Sequence, residues 1–148
     1  DDCWVALEVD KCAPFGLLIT NGEFVSFHGP DPTMIAVAEE NRGSVRFVNC
    51  AFWGPNNQIA KVGGGTVGFS DCTFVQWDRN REGRHAIQAT GGSLIVRGCE
   101  FRADAPQVSL TADVRRAVIT GNLFSGSARI ADAGAGNVQI GLNSADED

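Results

Sequence analysis

The chain has 148 residues, 43% of them hydrophobic, and carries 18 acidic against 12 basic side chains for a net charge of −6. That length is one domain's worth of sequence with enough apolar material for a core of its own. The acidic balance argues against nucleic acid as a partner, and no 18-residue apolar run is present to span a membrane. The first residues, DDCWVALEVD, lack the basic region of a secretory signal.

In chain order, the first readable strand is LLIT, leading to Phe24 in LLITNGEF. The same line returns as GSVRFVNCAF ending at Phe52, GTVGFSDCTF at Phe74, GSLIVRGCEF at Phe101 and AVITGNLF at Phe124. A partial sixth copy, GNVQIGLN, closes at Asn143. Successive phenylalanines lie 28, 22, 27 and 23 residues apart, so the repeated line is constant and the connections vary. Repeats of this size cannot bury their own apolar face alone and must stack.

Aligned on the phenylalanine, the copies form columns. Three residues before it stand Asn21, Asn49, Asp71, Gly98 and Gly121, the residue types that tolerate a left-handed backbone, so this column predicts a tight turn. The next column, Gly22, Cys50, Cys72, Cys99 and Asn122, reads as an inward position filled by small groups. Ile19, Phe47, Phe69, Val96 and Ile119, with Leu17, Val45, Val67, Leu94 and Ala117 two positions earlier, alternate as the buried face of a strand. A second apolar segment follows each phenylalanine: TMIAVA, NQIAKV, HAIQAT, PQVSL and SARIA. One repeat is thus strand, tight turn, short strand, loop, strand, loop. Like strands find partners only in the next copy, which predicts an all-β parallel β-helix of five to six rungs, one domain spanning 1–148, whole or part of a longer coil.

The line G-x-V-x-F-x-(N/D/G)-C-x-F, with its turn, Cys and Phe columns, resembles the right-handed, single-stranded parallel β-helix of the pectate lyase superfamily. It is most similar to the C-terminal rungs of bacterial proteins related to glycoside hydrolase family 28. The resemblance implies contact with polysaccharide outside the cell or at its surface. It does not carry the family 28 catalytic set, since N-T-D, G-H-G and R-I-K segments are absent and only Asp1-Asp2 imitates D-D.

Loops leaving such a stack at one corner lie above one another, and here they hold His28, Asp31, Trp53, Trp77, Asp78, Arg79, Arg81, His85 and Arg102. Tryptophan faces stack on sugar rings and arginine forks bind carboxylates, so His28, Trp53, Trp77, Arg79, Arg81, His85 and Arg102 are the candidate substrate contacts. Asp31 and Asp78 are the candidate acid and base, with Glu82 an ion-pair partner for its arginine neighbours. The opposing expectation is that Trp53 and Trp77 cap the core and the charges are solvated. A lyase would call for calcium, but the only Asp-x-Asp lies in the tail at Asp146 and Asp148. No cofactor is otherwise implied, and no zinc-type spacing exists.

Cys50, Cys72 and Cys99 point the same way one rung apart, which predicts free buried thiols behaving as small hydrophobes, while Cys3 and Cys12 could bridge the first rung. Leu18, Val48, Ile95 and Val118 make one outward strand face more apolar than solvent requires. The tail SADED is expected to cap the C-terminal end with charge. The open N-terminal end points to a longer native chain or to homo-oligomerisation. Two functions remain: a carbohydrate-active helix, hydrolase or lyase, and a non-catalytic binding or assembly module.

Overall fold

The computed structural model describes residues 7–25, 33–54 and 56–147. It is an all-β solenoid of about five turns built from three parallel sheets of six strands each. Sheet A contains β1 (Leu7–Val9), β4 (Thr33–Val37), β7 (Gln58–Val62), β10 (Ile87–Ala89), β13 (Val108–Leu110) and β16 (Ile130–Asp132). Sheet B contains β2 (Leu17–Thr20), β5 (Ser44–Val48), β8 (Thr66–Ser70), β11 (Gly92–Arg97), β14 (Val114–Thr120) and β17 (Asn137–Gly141). Sheet C contains β3 (Glu23–Val25), β6 (Ala51–Trp53), β9 (Thr73–Phe74), β12 (Glu100–Phe101), β15 (Leu123–Ser127) and β18 (Ser144–Glu147). Each rung takes one strand from each sheet, and the register keeps repeat columns together: Leu17 faces Val45, Val45 faces Val67, and Phe52 faces Phe74.

Alternation decides what enters the coil. Val45, Phe47, Val67, Phe69, Leu94, Val96 and Ile119 are buried from sheet B, and Ile35, Val37, Ala60, Val62, Ile87 and Leu110 from sheet A. The phenylalanine column forms as predicted: Phe24, Phe52, Phe74 and Phe101 stack at centroid separations of 5.2, 5.1 and 4.5 Å, and Phe124 follows 5.3 Å from Phe101 with its ring tilted by 57°. A shorter ladder, Phe47 on Phe69 at 5.1 Å, meets it edge-on, with Phe69 5.5 Å from Phe74. Each fully buried phenylalanine contributes roughly 1.5–3 kcal/mol from burial before stacking is counted.

The bend between sheets B and C is where the sequence columns become backbone geometry. Asn21, Asn49 and Asp71 have φ of 54°, 52° and 54°, and Gly98 and Gly121 have 63° and 68°. The sixth rung makes the same bend with Leu142 at φ 56°, a side chain that does not favour it.

The cysteine column does more than fill space. The thiols of Cys50, Cys72 and Cys99 donate to the carbonyls of Ile19, Phe47 and Phe69 one rung earlier, at 3.6, 3.5 and 3.5 Å. Their sulfurs accept from the backbone N–H of Gly22, Cys50 and Cys72. Asn122 performs the same two tasks with its amide. Nδ2 donates to Val96 O at 3.1 Å and Oδ1 accepts from the Cys99 N–H at 2.9 Å. Asn143 repeats them toward Ile119 O and the Asn122 N–H. The bend interrupts the strand ladder, and at the Asn122 rung this column supplies the acceptor for the backbone N–H that it orphans.

The structure differs from the sequence reading at three places. The tail residues Ser144–Glu147 form β18 against β15 and so extend sheet C, because Asn143 keeps the bend column in register. Leu7–Val9, which no repeat line announces, is a strand in sheet A. Cys12 has a free thiol that donates to Asn41 Oδ1 at 3.3 Å, while Cys3 lies outside the described residues.

Candidate functional site

The corner that follows sheet C gathers the loops expected to carry function. Trp53 ends β6 facing outward, in register with Val25, and is 36% exposed. Main-chain bonds from Val75 N to Phe52 O and from Arg102 N to Phe74 O carry that outward column on through Val75 to Arg102. Arg102 is exposed and lies 3.5 Å from Glu100 Oε1, an ion pair of little energetic weight at a solvated surface.

The long excursion from Val75 to Ala86 is tied down at both ends. Asp78 N and Arg79 N donate to Asn57 O and Asn56 O, each at 3.1 Å, which straps the loop onto the corner of the preceding rung. Trp77 turns into the coil. It is 5% exposed, packs edge-on to Phe101 at 5.9 Å, and donates Nε1 to Pro106 O at 2.6 Å. Its ring therefore covers the core and offers no open face to a sugar. An indole N–H can be buried only with a partner, and Pro106 supplies it.

Asp78 is the organising group of the loop. Oδ1 accepts from Glu82 N at 2.9 Å and Arg84 N at 3.0 Å, and Oδ2 accepts from Gly83 N at 3.1 Å. Left-handed backbone at Asp78, Arg81 and Gly83 turns these N–H groups inward. A carboxylate so engaged holds its loop and is poorly placed to shuttle a proton. Glu82 is an ion-pair partner, with Oε2 3.3 Å from Arg84 Nε and 3.1 Å from Asn57 Nδ2. His85 is half-buried, and desolvation lowers its pKa against the opposing pull of Asp78. Arg79 and Arg81 remain exposed on the loop's outer side. His28 and Asp31 lie outside the described residues.

The corner also contains residues that sequence reasoning passed over. Asn57, Gln58 and Gln107 are buried, and Gln107 joins adjacent rungs by accepting from Arg129 N at 2.6 Å and donating to Ser127 O at 3.2 Å. Asn41 closes the opposite corner, accepting from Cys12 N and Gly43 N. The available signal was an amide side chain opening the apolar segments NQIAKV and PQVSL, where a strand would otherwise begin with an apolar residue.

Among the described residues no three His, Cys, Asp or Glu side chains gather as a metal site. No described helix is long and apolar enough to cross a membrane. No protein-family model matches the chain, and neither does any curated protein or solved structure.

Proposed function

We propose that the chain is a non-catalytic polysaccharide-binding module of the pectate lyase-like β-helix kind, working outside the cell or at its surface. The observation that carries this reading is the outward Trp53–Val75–Arg102 column, at a corner that also carries exposed Arg79 and Arg81 and whose described carboxylates are engaged, Asp78 by three backbone N–H groups, Glu82 by Arg84 and Asn57, and Glu100 by Arg102. An outward tryptophan and exposed guanidinium groups on one corner suit sugar rings and their hydroxyl or carboxylate substituents. A glycan array read for binding, followed by assays for reducing ends and unsaturated products, tests it. Binding without product, weakened at least tenfold in Trp53→Ala, is the expected result. Turnover by the intact chain would make it an enzyme, with Asp31→Asn as the next variant.

A second reading, an assembly solenoid, is favoured by one observation. Among the described residues no strand pairs with the outer edge of β16, β17 or β18, and Ile140 and Leu142 are 46% and 92% exposed beside those edges. Sedimentation across a concentration series distinguishes it, since an assembly module would grow beyond the monomer.

A further inference from the structure

Charge in this molecule is sorted by sheet. The strands of sheet B contain four arginines, Arg46, Arg97, Arg115 and Arg116, and no Asp or Glu. The strands of sheet C contain four carboxylates, Glu23, Glu100, Asp146 and Glu147, and no Lys or Arg. Sheet A mixes the signs, with Glu8, Lys61 and Asp132. Among the described residues no ion pair joins the two charged sheets: none of the four arginines has a carboxylate at ion-pair distance, and of the four carboxylates Glu100 alone has a basic partner, Arg102. Gathering like charges on one face costs stability unless an opposite charge is brought to it.

The two faces match in more than sign. Arg97 and Arg116 donate Nε to hydroxyls one rung back, Ser70 Oγ at 3.0 Å and Ser93 Oγ at 3.4 Å, which commits one donor of each guanidinium and leaves the rest. A Cβ on Gly68 would meet Arg46 Cδ at 3.0 Å, so the Arg46 stem runs along the coil axis over a bare glycine. Between Arg46 and Arg116 lies a hollow of about 330 Å³ lined by Ile95 and Val118, and sheet C carries one of about 170 Å³ beside Glu100, Leu123 and Asp146. Both faces expose apolar side chains: Leu18 at 64% and Val118 at 41% on sheet B, Leu123 at 57% on sheet C. Arg46 on β5 and Arg116 on β14 stand three rungs apart, and so do Glu23 on β3 and Glu100 on β12. Each interval is roughly 14 Å at ~4.8 Å per strand, so both acids can meet both arginines at once.

We propose that sheet B of one copy docks on sheet C of a second copy, with Arg46 and Arg116 set against Glu23 and Glu100 and the exposed apolar side chains of both faces covered between them. Charge complementarity selects this occupant, because the same chain carries the acidic face at the spacing that the basic face requires. The exposed Glu100–Arg102 pair is of little weight and gives way to a guanidinium fork from the neighbour. The two patches differ, so the contact is heterologous. Every copy in a pair keeps one free face of each kind, and association runs past the dimer to a closed ring or a filament. Charge steers it, so added salt weakens it. The proposal rests on no carbohydrate contact, and it places self-association on two sheet faces where the assembly reading uses the strand edges of the last rung.

The test is sedimentation velocity of the intact chain across a concentration series at low and at high ionic strength. The parent is compared with Arg46→Glu/Arg116→Glu, with Glu23→Arg/Glu100→Arg, with an equimolar mixture of these two, and with Leu142→Asn. Circular dichroism verifies the fold of each. The first variant has two acidic faces and the second two basic ones, so each alone should associate about tenfold or more weakly than the parent, since like charges set face to face repel. Their mixture restores opposite faces and should associate where neither does alone. The parent should grow past the dimer at low ionic strength and fall back to monomer at high. A parent that stays monomeric up to about 1 mM at low ionic strength, a series that stops at the dimer, growth that salt leaves unchanged, or a mixture no larger than its components would overturn the proposal. Leu142→Asn suits the left-handed bend and removes the exposed side chain at the end of the coil. Association lost there but kept in both charge variants would leave the assembly reading standing and remove the face contact; the reverse pattern would keep the face contact and remove the strand edges.

Discussion

Replacing Asn122 by alanine tests whether the inward bend column is a hydrogen-bonding device or a space filler. The side chain is fully buried and bridges the rung before it, through Val96 O at 3.1 Å and the Cys99 N–H at 2.9 Å. Alanine leaves the Cys99 N–H without a partner, while Val96 O keeps its ladder bond from Thr120 across the Arg97–Thr120 pair. An orphaned buried group costs about 1–3 kcal/mol, and Val96 O and Asn143 Oδ1 each lose one of two donors, so a total of about 2–3 kcal/mol is expected. Cysteine at the same position reproduces what Cys99 does toward Phe69 and the Cys72 N–H, with the weaker donor and acceptor that sulfur provides. It should recover about half of the loss. Equilibrium urea unfolding reads the difference, with an unchanged m-value confirming that only stability moved. An alanine variant within ~1 kcal/mol of the parent, or a cysteine variant no better than alanine, would refute the bridging role assigned to this column.

The phenylalanine ladder should respond by position. Phe74→Ala opens a fully buried site between two stacked rings and should cost about 3–5 kcal/mol, whereas Phe24→Ala, half-buried with one stacking neighbour, should cost distinctly less; thermal melts compare them. For His85 the folded pKa lies below the unfolded one, so its contribution to stability is fully present above the unfolded value near 6.5 and is lost as pH falls from there through the lower folded value. Unfolding midpoints measured from pH 7.5 to 5 should decline, and His85→Gln should flatten part of that decline. Burial pushes the Cys50 thiol up, and contact with Cys72 followed by burial pushes Cys99 up. In native protein a thiol reagent should leave Cys50, Cys72 and Cys99 unmodified and label Cys12 first, with all of them reacting after unfolding; rapid native labelling of Cys72 or Cys99 would contradict the closed stack.

The coil was legible because its determinants are local and recur. Asn21, Asn49, Asp71, Gly98 and Gly121 advertise the left-handed bend by residue type, and the five phenylalanines advertise the ladder by spacing. β1 was illegible because LEV has no aligned phenylalanine, and β18 was read as a charged cap because SADE has no apolar face, though Asn143 had already set its register. The corner was legible only in outline. Trp77 and Trp53 look alike in sequence, and only the partner at Pro106 decides which one enters the core.

The variable spacing between phenylalanines has a consequence of its own. Ile87 falls opposite Ala60 whether the chain reaches it directly or through the long excursion at 75–86, and Val108 falls opposite Ile87 after a much shorter one. Chain length at that corner is thus uncoupled from alignment in the coil. A foreign segment grafted at the exposed tip of the excursion, beyond Trp77 and the strap at Asp78 and Arg79, would leave every core column where it stands, so what the outside recognises can diverge freely while the inside stays the same.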